Sequence, residues 1–200
     1  MRRARPVIDV VTREKSKFEG DLEKLEAYVA DASWVVRLVR DAAFDDWGRA
    51  TAAEVQKNVG IIVAAIERDE PAGACIGPFG GIFEFLRVKT CGARPDIDCS
   101  TPEKSRFEDD LGRLEAFTAE RAGAMVAPGV FDVSFTEQVN VSRAVRLVRS
   151  AVFDDWKRAR AADVQKNVGI VADAVEHDEA AGVCLVPLAG LLEFLCESRT

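Results

Sequence analysis

The sequence predicts an all-α fold: a tandem-duplicated helical bundle, or a short helical solenoid, with a pseudo-twofold internal repeat. Three observations lead there. Most of the chain occurs twice, apolar residues recur at helical spacing through both copies, and strand signals are nearly absent. Residues 4–92 form the first copy and 93–200 the second. Phe18-Glu19 returns as Phe107-Glu108, an offset of 89. Arg37-Leu38-Val39-Arg40 returns as Arg146-Leu147-Val148-Arg149, an offset of 109, so the second copy carries 20 extra residues near 121–140. From there the register holds to Glu84-Phe85-Leu86 and Glu193-Phe194-Leu195. Two organisations fit this pattern. One is a single domain of two fused halves. The other is a two-unit piece of a longer array, whose apolar ending, Leu191 to Cys196, would seek a neighbour.

Each copy reads as helices. The first is predicted from Phe18, Leu22, Leu25 and Val29, and from Phe107, Leu111, Leu114 and Phe117. Thr101-Pro102-Glu103 is a start signal: a threonine cap, proline at the first helical position and an acid in the first turn. A long second helix follows, with a stripe of Val36, Val39, Ala43, Trp47 and Ala50, repeated as Val145, Val148, Val152, Trp156 and Ala159. The stripe then rotates to Val55, Val59, Ile62 and Ile66, or Val164, Val168, Val171 and Val175. A bent helix or two helices meeting near Gly48 both fit. A last helix is expected to begin at Pro78 or Pro187, after a break at Ala72-Gly73 or Ala181-Gly182. The alternation from Val130 to Phe135 is a weak strand signal, with Thr136-Glu137 expected to cap the helix after it.

Bulk properties narrow the function classes. A net charge of −7 argues against nucleic-acid binding and against docking on anionic lipid. The most apolar stretch, Ala180 to Leu192, is too short to span a bilayer and is interrupted by Pro187. No apolar signal core follows Arg2, Arg3 and Arg5, so an intracellular location is expected, with organelle targeting left open. Cys75 and Cys184 sit at equivalent apolar positions and read as buried small hydrophobes. The spacing of Cys91, Cys99 and Cys196 neither requires nor excludes a bridge among them. With one histidine, His177, and no paired CxxC motif, a zinc site and a nucleophile–base pair are both unexpected.

Two motifs stand out. Phe44-Asp45-Asp46-Trp47 and Phe153-Asp154-Asp155-Trp156 place paired acids on a helix. Asp45 facing Arg49, and Asp154 facing Arg158, at i,i+4 would make these surface ion pairs. Val55-Gln56-Lys57-Asn58-Val59-Gly60 and Val164-Gln165-Lys166-Asn167-Val168-Gly169 are identical although exposed positions around them have diverged. Mid-helix amides and glycines have no propensity reason to persist. Gln56, Lys57, Asn58, Gly60, Gln165, Lys166, Asn167 and Gly169, with Trp47 and Trp156, are therefore the candidate partner- or ligand-contacting residues. A purely structural role is an equal reading of the amides. Arg37 with Arg40, and Arg146 with Arg149, form basic ridges expected to pair with acids of the first helix of each copy.

The pieces Val164-Gln165-Lys166-Asn167, Glu176-His177-Asp178-Glu179 and Gly190-Leu191-Leu192-Glu193-Phe194-Leu195 resemble part of an armadillo-type helical repeat. Val55-Gln56-Lys57-Asn58 and Gly80-Gly81-Ile82 do so in the first copy. The resemblance covers about a third of each copy, and the period of 89 departs from the family's period of about 42. It implies a helical stack that binds another protein.

The expected function is a non-enzymatic protein–protein interaction or scaffold module, without cofactor or metal. Its partner would be another protein or further copies of the repeat. The alternative is a carrier of a small apolar ligand or pigment held between the halves, with Trp47, Trp156, Phe44 and Phe153 lining the space. A third reading, a metal-dependent enzyme using Asp45, Asp46, Asp154 and Asp155, lacks a further ligand cluster in the sequence.

Overall fold

In a computed structural model of the chain, residues 8–28, 33–86, 99–124, 133–157 and 159–197 are described. They form eight α-helices and, among the described residues, no strand. The first half contributes α1 (Ile8–Tyr28), α2 (Ser33–Asp45), α3 (Ala50–Glu67) and α4 (Gly73–Phe85). The second contributes α5 (Pro102–Ala124), α6 (Val133–Asp154), α7 (Ala159–Glu176) and α8 (Leu185–Glu197), with a 3-10 turn at Ala181–Cys184 before α8.

The apolar stripes face inward as the spacing requires. Phe18, Leu22 and Leu25 of α1 are buried, as are Phe107, Leu111 and Leu114 of α5. Val29 lies outside the described residues, and Phe117 is half-buried against the core. The cap at Thr101 forms: the Lys104 amide donates to its Oγ1 at 3.3 Å, and α5 starts at Pro102. The long second helix is two helices in each half, broken at 46–49 and at 155–157. Both α3 and α7 end in the same way. Asp69 (φ 53°) and Asp178 (φ 55°) adopt the left-handed conformation. The next amides, of Glu70 and Glu179, reach back to the carbonyls of Ala65 and Ala174 at 2.8 Å. This closes the last turn as glycine usually does.

Several local expectations are corrected. Pro78 does not start a helix but lies inside α4, which begins at Gly73. Pro78 is the sixth residue of α4, so its missing N–H forgoes one bond to the carbonyl four residues back, within a stretch held by buried neighbours. In the second half the same stretch divides into the 3-10 turn and α8, with Pro187 in the first turn of α8. Val133 to Phe135 are helical, so there is no strand there, and Thr136-Glu137 lie within α6 rather than capping it. An uninterrupted amphipathic run outweighed the local alternation.

The 20 extra residues fall in the end of α5, in residues outside the described set, and in the start of α6. They make α6 longer at its N-terminus than α2, and the consequence is tertiary. α6 lies along α4 of the other half, whereas α2 touches α8 only lightly. Arg143 of α6 closes this contact with an ion pair to Glu84 of α4 at 2.9 Å. Where the halves meet near α4 and the 3-10 turn, the Ala72 amide donates to the Glu179 carbonyl at 2.6 Å. The Ala181 amide donates to that of Glu70 at 2.7 Å. These are equivalent residues exchanging equivalent bonds, the pattern of a twofold contact. The buried apolar residues of both halves form one cluster. Leu191, Leu192, Phe194 and Leu195 belong to it, so the apolar end of the chain is covered by the chain itself.

Candidate functional site

The residues retained in both copies lie where the third helix of each half meets the first and the fourth. Gln56 donates through Nε2 to the Glu14 carbonyl of α1 at 3.2 Å; Gln165 donates to the Glu103 carbonyl of α5 at 3.0 Å. Each ties α3 or α7 to the neighbouring helix backbone, which its own ladder alone would not hold. Asn58 lies against Gly81 of α4 so closely that a Cβ there would land on its Nδ2. Asn167 lies against Gly190 of α8 with 2.6 Å between such a Cβ and its Nδ2. At both positions the amide occupies the space a Cβ would take, so a side chain there would have to displace it. Gly60 and Gly169 admit Asp21 and Asp110: a Cβ would stand 3.5 Å and 3.3 Å from the respective Oδ2. Five of the six residues in each motif thus pack inward or bond inward. Lys57 and Lys166 are exposed.

Trp47 and Trp156 are half-buried and stack on Phe44 and Phe153, with ring centroids 5.4 Å apart in both halves. Fully buried Phe18 and Phe107 meet the same rings at 5.6–5.8 Å. Lys15 and Lys104 sit over Trp47 and Trp156 at 5.7 Å and 5.9 Å, the geometry of a cation–π contact. The four rings therefore pack within their own halves. The acids beside them do not behave as expected either. α2 stops at Asp45, so i,i+4 geometry is lost, and Arg49 pairs with Asp46 at 3.0 Å instead. Thr51 donates to the other oxygen of Asp46 at 3.3 Å. Asp45 and Asp154 are exposed, and Arg158 lies outside the described residues.

The basic ridges pair with acids of the first helix. Arg40 Nε is 2.8 Å from Glu19, with Glu26 at 3.5 Å. Arg149 is 2.8 Å from Glu108 and 3.3 Å from Glu115. Burial alone would lower the Arg149 pKa, but its two carboxylate partners outweigh that and raise it. Arg37 and Arg146 are exposed. Lys24 with Glu67 at 2.7 Å, and Arg113 with Asp110, Asp173 and Glu176, complete a seam of equivalent pairs. The acids Glu19, Asp21 and Glu26 were open to sequence reasoning, since each recurs 89 residues later.

Cys75 and Cys184 are free and wholly buried. Burial pushes their thiols up, to about 12 and about 11. Such thiols stay protonated and unreactive at neutral pH. Cys99 is an exposed free thiol, Cys196 is half-buried, and Cys91 lies outside the described residues. Among the described residues no three His, Cys, Asp or Glu side chains are placed to hold a metal ion. No described helix is long and apolar enough to cross a membrane. An apolar cavity of about 40 Å³ lies between α4 and the helices of the second half; none of Phe44, Trp47, Phe153 or Trp156 lines it. Comparison with protein-family models, curated proteins and solved structures finds no match, so the resemblance to armadillo repeats rests on the sequence motifs alone.

Proposed function

We infer that the chain is a non-enzymatic helical module that serves as a protein–protein interaction or structural scaffold. The observation that carries this reading is the use made of the retained side chains. Gln56, Asn58, Arg40 and their counterparts Gln165, Asn167 and Arg149 all bond or pack between helices of their own half. These retained polar side chains are committed to the fold, and burial holds the two interior thiols protonated. What remains presented is a polar helical exterior. On α3 and α7 it carries Lys57 beside Glu54, and Lys166 beside Asp163, all exposed. These two lysines are the members of the shared motif left for a partner, whether another protein or further copies of the repeat. The motif resemblance to armadillo-type repeats supports the same class of role.

Crosslinking and mass photometry at native concentration test the reading, with Lys57→Glu/Lys166→Glu as the matched variant. The expected result is a complex in the wild type that is weakened in the variant, while the melting temperature stays the same. A solitary particle, or a complex indifferent to charge reversal at both lysines, contradicts it.

A further inference from the structure

The cavity between the halves has properties that distinguish it from the rest of the core. Its lining comes from α4, α5, α6, α7 and α8, and no lining residue carries a polar side-chain atom. Water needs two to four polar partners to stay in such a space, and the side chains of this lining offer none. At about 40 Å³ it has room for roughly three groups the size of a water molecule, well short of the ~150 Å³ that admits benzene.

Three residues of this lining are smaller than their counterparts in the first copy. Ala144, Val171 and Leu188 stand where the first copy has Val35, Ile62 and Phe79. Each is the smaller member of its pair. Val141, from the part of α6 that extends beyond the start of α2, adds a further wall. The opposite wall is Phe79 and Phe83 of α4, supplied by the other half. Reduced side chains, the extended helix and the partner half therefore meet at one place.

We propose that this cavity is a binding site for a small apolar molecule of about three heavy atoms, with hydrocarbon as the ligand class. Its lining offers dispersion contacts and nothing for a polar group to bond, so a hydroxyl or amine analogue of the same size is disfavoured. A ligand this small has a ceiling on its binding energy that places its Kd on the order of millimolar or weaker. The site is independent of the interaction reading above: it lies inside the fold, away from Lys57 and Lys166.

Methyl-resolved NMR of the intact chain under dissolved propane provides the test, with benzene and ethanol as oversize and polar controls. The expected result is a saturable shift confined to methyls of Val141, Val145, Val148 and Leu191, absent with both controls. Ala144→Leu should abolish the propane shift without lowering the melting temperature. Should that variant fail to fold, Val171→Ile fills part of the same space and should weaken binding severalfold. Leu191→Ala enlarges the space and should tighten binding. Absence of a saturable shift in both the wild type and Leu191→Ala, shifts spread evenly over methyls of both halves, or a propane shift undiminished in the filled variants overturns the proposal.

Discussion

Arg40 and Arg149 are the same residue in two copies, and each faces the same two acids. Yet the Arg40 side chain keeps 22% of its exposure and Arg149 only 3%. The pairing is therefore a property of the repeated sequence, whereas its depth is a property of where each copy sits. The second half carries the longer α5 and α6 and a more deeply sunk seam, with Asp110 also buried. The physical lesson is that duplicated contacts need not carry duplicated energies.

The largest consequence should appear in that pair. Arg149→Ala removes a buried guanidinium and its charge-assisted bonds to Glu108 and Glu115, and should cost about 3 kcal/mol. Arg40→Ala breaks a more exposed pair and should cost about 1 kcal/mol or less. Urea unfolding of both variants measures the difference; equal costs would erase the distinction between the halves.

The glycine–asparagine contacts come next. Gly81→Ala and Gly190→Ala should each destabilise by about 1–3 kcal/mol through overpacking, although alanine is the better helix former. The overlap is tighter at Gly81, so the first half should suffer more. Adding Asn58→Ala to Gly81→Ala should recover stability, and a double-mutant cycle reads that coupling directly.

The two buried thiols predict a shared alkaline weakness of unequal reach. Their folded pKa values lie above the ordinary 9.0, so the folded state holds the proton longer than the unfolded chain. The stabilisation is complete below pH 9 and is lost as pH rises, over about pH 9–12 for Cys75 and 9–11 for Cys184. Each thiol contributes at most ~1.4 kcal/mol per pH unit. Chemical denaturation at pH 8 and pH 10.5 should show a smaller fall in Cys75→Ala/Cys184→Ala than in the wild type.

The smallest effect should be symmetric. Asp69→Gly and Asp178→Gly relieve the same left-handed strain and should each stabilise by about 0.5–1 kcal/mol. Thermal melts that differ between the two would mean that these helix ends are not equivalent in their surroundings.

What could be foreseen follows from the range of the interactions. The stripes through Phe18, Leu22 and Val59 were legible because a 3.6-residue period is written locally. The pairing of Arg40 and Arg149 with acids of the first helix was legible from charge alone. The acceptors of Gln56 and Gln165 were not, because a backbone carbonyl on another helix has no sequence signature. Pro78 reads as a start signal, yet the buried residues on both sides of it, Cys75, Ile76, Phe79 and Ile82, belong to one helix that runs through it. Thr136-Glu137 resembles a cap, yet the apolar positions around it run on into α6. The exchanged bonds of Ala72 and Ala181 arise only once the halves have met. The role of the retained amides as internal ties depends on those tertiary neighbours too.

The retained side chains tie the helices within each half, while the α4–α6 contact, the Arg143–Glu84 pair and the exchanged bonds of Ala72 and Ala181 join the two halves into one cooperative body. A urea titration following methyl signals of Val59 in α3 and Val168 in α7 tests it most directly. Both residues are essentially fully buried, at 0% and 1% exposure. The two signals should vanish at one midpoint. Two separated midpoints, with one half folded while the other is not, would contradict it.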